Sequence, residues 1–177
     1  NFFLSNPKVK IIKGTKINKN ILNAINKMLG TECYLQDFNL NKINNKYMEE
    51  AKKLLPKNNY IGLSITQGNV YRKKEWPIDN IIILCKKIEE KGKVPVFFIE
   101  KKNITLKNKI KEMIPNAIIP EHESTLSSPA LVTCLGKRLD FAISIDNGVM
   151  HMLSLAKIPM IVLFGPTTSE KFAPDYE

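Results

Sequence analysis

The chain has 177 residues, 44% of them hydrophobic and 25% charged, and 27 basic against 17 acidic residues give a formal net charge of +10. That length suits one domain or slightly more with a genuine core, and the composition excludes a disordered or fibrous chain. The positive balance favours anionic partners, among them nucleotide phosphates, nucleic acid and acidic membrane faces, although Lys-rich solvated surface accounts for the same charge. Cys33, Cys85 and Cys134 have neither metal-ligand nor redox spacing, so a reduced, cytoplasmic setting is expected. No apolar run approaches the roughly 20 residues that span a bilayer. Asn1-Phe2-Phe3-Leu4, followed by Pro7, is too short for the core of a signal peptide.

The stretch 1–56 is rich in Asn and Lys and reads as a helical lead-in from an upstream domain, with helices near Lys19 to Leu29 and Asn45 to Leu54. Helical spacing of Ile21, Leu22, Ile25, Met28 and Leu29, with Gly30 as a stop, supports the first. Residues 57–177 change character. Tyr60 to Ile65 reads as a buried strand, and a polar loop from Thr66 to Glu75 closes on Trp76-Pro77 before a helix to Glu90. Strand 94–99, helix 105–113, a short strand at 117–119 and helix 129–135 follow. Strand 141–145, helix 148–156 and strand 159–164 complete the series. Apolar strands alternating with amphipathic helices predict an α/β fold, a doubly wound, Rossmann-like parallel sheet covered on both faces.

Parallel sheets bind ligands beyond the carboxyl ends of their strands, which directs attention to strand-to-helix loops. In Ile145-Asp146-Asn147-Gly148-Val149-Met150-His151 a strand ends and a helix begins almost at once. Gly148 lets a ligand approach the backbone, and the helix start can hold a diphosphate. His151, one turn in, can point back toward the same anion, while Asp146 or Asn147 caps the helix. The same residues also read as an ordinary capped helix with a buried histidine. The basic run Tyr71-Arg72-Lys73-Lys74 can reach a phosphate at the sheet edge, or be a solvated loop anchored by Trp76.

Lys74-x-Trp76-Pro77, Asp146-x-Gly148-x-x-His151 and Phe164-Gly165-Pro166-Thr167 together resemble the motif series of glycosyltransferase family nine, which includes the ADP-heptose:lipopolysaccharide heptosyltransferases. The resemblance runs from about Tyr60 to Pro174. It implies the carboxyl-terminal, nucleotide-sugar-binding half of a two-domain GT-B enzyme. Lys74, Asp146, Asn147, Gly148 and His151 would surround the donor diphosphate, with Asn147 standing where the family usually has Ser or Thr. Glu100 would contact the donor ribose, and Thr66, Ser124 and Thr125 are further candidate nucleoside contacts on the same sheet edge. Thr167 would shape the Gly165-Pro166 turn.

The implied reaction is inverting sugar transfer from a nucleotide diphosphate, possible substrates including ADP-heptose, to a lipopolysaccharide or other glycan or lipid-linked acceptor. The general base would lie in an amino-terminal domain outside this chain, leaving no catalytic residue here and little activity. No metal or cofactor is expected, because the cations suffice and no carboxylate cluster of the Mg²⁺-binding type is seen. Location would be cytoplasmic, with peripheral contact at an acidic inner-membrane face. Two other readings stand beside this one: a GT-B nucleotide-sugar epimerase, and a non-catalytic basic module for anionic lipid or nucleic acid. The aromatics Phe97, Phe98, Phe141 and Phe164 lie in strand patterns rather than among the basic residues, which argues against a specific nucleic-acid surface.

Overall fold

A computed structural model describes residues 17–34, 39–67 and 74–174, and for 17–20 the backbone alone. The described residues fall into two compact units, one drawn from Asn1–Phe38 and Thr167–Ala173, the other from Asn39–Pro166 with the end of the chain. The first unit holds helix α1 (Ile17–Leu29). Gly30 ends it with φ 63°, and the Asn26 side chain clasps the following turn through the Cys33 backbone N–H (2.9 Å) and carbonyl (2.8 Å).

The second unit contains helix α2 (Asn45–Leu54), β1 (Tyr60–Ser64), α3 (Ile78–Glu90), β2 (Val94–Phe97), α4 (Ile104–Met113) and α5 (Pro120–Glu123). It continues through α6 (Pro129–Gly136), β3 (Phe141–Ile145), α7 (Gly148–Leu155) and β4 (Met160–Leu163). The short α8 (Ser169–Phe172) belongs to the first unit.

The four strands form one parallel sheet in the order β2-β1-β3-β4. The short strand expected at 117–119 is reduced to a single parallel bridge, Val96 with Ile118. Two hydrogen bonds hold it, Ile118 N–H to the Pro95 carbonyl (2.9 Å) and Phe97 N–H to the Ile118 carbonyl (2.8 Å). Counting that bridge, the chain runs outward from β1 through β2, then returns to lay β3 and β4 on the other side. β1 and β3 are therefore the pair at which the strand order reverses, the place where doubly wound sheets leave a crevice.

Each strand feeds two cores, as period-2 alternation demands. On one face Tyr60, Val96, Phe98 and Ala142 pack with Ala51, Leu135 and Leu153 of α2, α6 and α7. On the other, Leu63, Phe97 and Ile99 pack with Ile81, Cys85 and Ile110 of α3 and α4. The boundary between compact units thus falls at 38–39, and α2, grouped by its composition with the lead-in at 1–56, packs with the sheet. Its apolar face (Ala51, with Tyr47 and Met48 against the same core) was readable, but its partner was not. Gly62 in β1 is what lets this face close. A Cβ there would lie 2.5 Å from Leu139 Cδ1 and 3.2 Å from Phe98 Cε2.

Helix starts follow local chemistry. Asn103 accepts from Leu106 N–H at 3.2 Å to cap α4, and Ser128 accepts from Ala130 N–H at 3.1 Å ahead of Pro129 in the first turn of α6. Gly92, at φ 68°, turns the chain out of α3.

Candidate functional site

β3 ends at Ile145, and Asn147 caps α7 with its Oδ1 accepting from Met150 N–H at 3.0 Å. The other end of that amide spans the crevice. Asn147 Nδ2 donates to Ser64 Oγ and to the Thr66 carbonyl, both at 2.8 Å. One side chain therefore caps α7 and ties it to the end of β1, a reach that the shorter Ser or Thr lacks. Both amide hydrogens are engaged within the protein.

Beneath this turn Lys74 Nζ forms an ion pair with Asp146 Oδ2 and donates to the Asp146 carbonyl at 3.2 Å. The two side chains are only 7% and 8% exposed. A buried ammonium and carboxylate each need the other, because either alone would carry an uncompensated charge. The Lys74 N–H donates to Gln67 Oε1 at 2.8 Å, which ties Lys74 to the chain just after β1. Tyr71, Arg72 and Lys73 of the same basic run lie outside the described residues.

His151 stands one turn into α7 and is exposed, so the buried-histidine alternative is not what the structure shows. Partial desolvation of its ring lowers its pKa below the usual histidine value, and the nearby Asp146 carboxylate partly offsets this. The imidazole is thus mainly neutral at pH 7 and gains charge if an anion arrives.

An open pocket of about 280 Å³ lies along this edge of the sheet. Its polar lining comes from Thr66, Glu100, Glu121, Ser127, Ser128 and Asn147. Phe98, Pro129, Val132, Val149 and Met152 supply an apolar floor. Gly148 opens it: a Cβ there would meet nothing within 4 Å. Among the described residues no packing requires that glycine, which contrasts with Gly62 and with Gly136, where a Cβ would lie 2.9 Å from Ala156 Cβ.

Of the residues expected from sequence, Lys74, Asp146, Asn147, Gly148 and His151 converge on the β3–α7 junction, and Thr66 and Glu100 join Asn147 and Gly148 in the pocket. Ser124 and Thr125 do not line it. Ser124 is buried, donating to Glu50 Oε1 at 2.7 Å and accepting from Leu126 N–H at 3.0 Å, while Thr125 is exposed. A serine tied to α2 and its own loop serves structure rather than ligand.

Sequence reading missed Glu121 and Ser127-Ser128. The signal for the second was present, since Ser128-Pro129 is a helix-start signature at the same edge. Glu121 had none, because a four-residue helix produces no periodic pattern. Partial burial, reinforced by the Glu100 carboxylate, pushes the Glu121 carboxyl up to about 7, against the pull of Lys101 and of the Ile99 N–H. Among the described residues, no three His, Cys, Asp or Glu are grouped so as to hold a metal ion, and no helix is long and apolar enough to cross a membrane.

Fold and pocket define a doubly wound α/β domain with a crevice at its topological switch point, the class expected from the sequence. The sequence profile of glycosyltransferase family 9 (heptosyltransferase) matches residues 20–176, and the chain belongs to that family. Among solved structures it is similar to the glycosyl transferase family 9 protein of Veillonella parvula DSM 2008, with a TM-score of 0.72 at 15% identity over 95% of this chain and 49% of that one. It is also similar to E. coli heptosyltransferase WaaC with ADP (TM-score 0.62, 17% identity, 92% of this chain and 50% of that one). A third likeness is to E. coli ADP-heptose lps heptosyltransferase II (TM-score 0.59, 19% identity, 75% and 41%). The chain thus spans about half the length of these proteins or less. No curated protein matches it significantly.

Proposed function

We propose that this chain is the donor half of a heptosyltransferase-like glycosyltransferase and holds a nucleotide-diphosphate sugar in the pocket between β1 and β3. The observation that carries this reading is the β3–α7 junction. A helix start opens onto the pocket through a glycine whose missing Cβ would meet no described residue, beside a lysine held in place and a histidine that can charge. The family, and the printed description of one similar structure as bound to ADP, support the ligand class.

In this reading the free N–H groups of the α7 start face the diphosphate, and Asn147 contributes through the turn it braces rather than through its amide. Lys74 shares its ammonium between Asp146 and the nearer phosphate. As the acceptor hydroxyl attacks the anomeric carbon with inversion, the bond to the diphosphate breaks and negative charge collects on the leaving group. Lys74, His151 and the helix start stabilise that charge more in the transition state than in the ground state. The base that takes the hydroxyl proton is assigned to an amino-terminal domain, together with the glycan or lipid-linked acceptor. ADP-heptose or a related nucleotide sugar enters as substrate, with no resident cofactor, and the enzyme works in the cytoplasm, peripherally at an acidic membrane face.

Calorimetric titration with ADP, UDP, GDP and their sugar conjugates tests the reading, alongside a Lys74→Ala, His151→Ala double variant shown by circular dichroism to be folded. The expected result is saturable binding of one nucleotide, weakened at least tenfold in the variant. A folded wild-type chain that binds none of them contradicts it.

A further inference from the structure

Asn147 is followed by Gly148, and no other asparagine in the sequence precedes a glycine. That pair is chemically labile. A glycine places no Cβ beside its backbone nitrogen, so the nitrogen can reach the carbonyl carbon of the preceding side-chain amide. The α7 start favours the attack further. The first N–H groups of a helix have no partner within it, and the positive end of the helix dipole eases loss of their protons. Gly148 is also exposed, and a Cβ added there would meet no described residue within 4 Å.

Against this stands the way the amide is held. Asn147 Nδ2, the leaving group, donates to Ser64 Oγ and to the Thr66 carbonyl, both at 2.8 Å. Oδ1 accepts from Met150 N–H at 3.0 Å. Ring closure turns the amide out of all three bonds. One of them ends on Ser64, which is fully buried at the end of β1, where a lost partner is costly.

We propose that Asn147-Gly148 is a site of spontaneous deamidation, held off in the folded chain by the bridge from Asn147 to β1, and that its product closes the pocket to a diphosphate. The second half of this inference rests on the donor reading of the same pocket; the first does not. The Gly148 nitrogen, giving up its proton, forms a bond to Asn147 Cγ, and the bond from Cγ to Nδ2 breaks. Nδ2 leaves as ammonia, carrying that proton, and a cyclic imide remains. Water then opens the imide. Cleavage at Cγ gives an aspartate with the backbone unchanged, and cleavage at the Asn147 carbonyl carbon gives an isoaspartate whose main chain runs through Cγ. Either product replaces an NH2 by an OH that ionises. An aspartate carboxylate at 147 still accepts from Met150 N–H, so the α7 cap survives. It has no hydrogen to give, and it sets a negative oxygen against the Thr66 carbonyl where the amide donated. Its charge also takes up the positive end of α7 and repels an incoming diphosphate.

Tryptic peptide masses test the first half. The peptide 139–157 contains Asn147 as its only side-chain amide, so a change from NH2 to OH in it is assigned to that residue. The full chain kept in buffer at pH 8 should convert at 147 at least tenfold more slowly than the same chain unfolded in urea. Ser64→Ala, shown by circular dichroism to be folded, takes one acceptor from the amide and should convert several-fold faster than folded wild type. Equal rates in buffer and urea, or no acceleration in Ser64→Ala, overturn the protection. An unfolded chain that stays intact at 147 overturns the site. Calorimetry with ADP and with inorganic pyrophosphate tests the second half. Folded Asn147→Asp should bind both at least tenfold more weakly than wild type, and undiminished binding overturns the closure. A wild-type chain that binds neither ligand overturns the donor reading and the closure with it, while the peptide masses decide the modification independently.

Discussion

The two walls of the pocket are held in different ways. At the β3–α7 junction Asn147 makes three good hydrogen bonds, and Lys74 and Asp146 are buried against each other. On the β2–α5 wall Glu100 is exposed and Glu121 sits where its own charge is disfavoured. That wall is tied down indirectly, by the His122 ring at 3.1 Å from the Glu100 carbonyl and by Lys101 reaching the Ser124 carbonyl. One wall is fixed by contacts within the protein, as the proposed diphosphate site requires. The other carries a carboxyl whose charge state changes near neutral pH.

This contrast predicts unequal responses to mutation. Asn147→Ala should cost about 2–4 kcal/mol of folding stability, from a lost cap and two lost buried hydrogen bonds, measured by urea denaturation. Asn147→Ser should recover the cap alone and fall between the two; equal stability of all three would show that the brace to β1 carries little.

Glycines separate packing from binding. Gly136→Ala, crowding Ala156 and Leu153, should cost about 1–3 kcal/mol. Gly148→Ala projects into open space and should leave stability within about 0.5 kcal/mol of wild type while weakening nucleotide binding at least tenfold. Stability loss at Gly148 would mean that the glycine serves the turn and not a ligand.

The pH dependence is a further effect on the β2–α5 side. Glu121 has its pKa raised on folding from 4.5 to about 7, so its contribution is fully present below 4.5 and is lost as pH rises through 7. Stability should decline by about 1–3 kcal/mol over that window, and the decline should be absent in Glu121→Gln. His151 acts in the opposite sense. Its lowered pKa means stability present above pH 6.5 is lost as pH falls through the folded value, so the Glu121 effect is read by the difference between wild type and variant.

Much of this was visible in the residues themselves. Strong alternation of apolar strands and amphipathic helices located every strand of the sheet, and short-range chemistry located the β3–α7 junction, because a strand end, a cap, a glycine and a histidine are all neighbours in sequence. What escaped was whatever depends on distance along the chain. The strand expected at 117–119 is reduced to the single bridge of Ile118 with Val96 of β2. Ser124 looked like a loop hydroxyl and is engaged by Glu50, which precedes it by 74 positions. The pairing of Lys74 with Asp146 spans 72 positions. Two residues assigned separately to the phosphate prove to be partners, which no local pattern can reveal.

The most direct test of the central claim is a nuclear magnetic resonance titration of the ¹⁵N-labelled chain with ADP, following backbone amides. The account predicts the largest, saturable shifts at Gly148, Val149 and Met150, with a second group at Thr66, Glu100 and Glu121. Shifts spread over the lysine-rich surface, with the α7 start unmoved, would contradict it and mark the interaction as one of net charge alone.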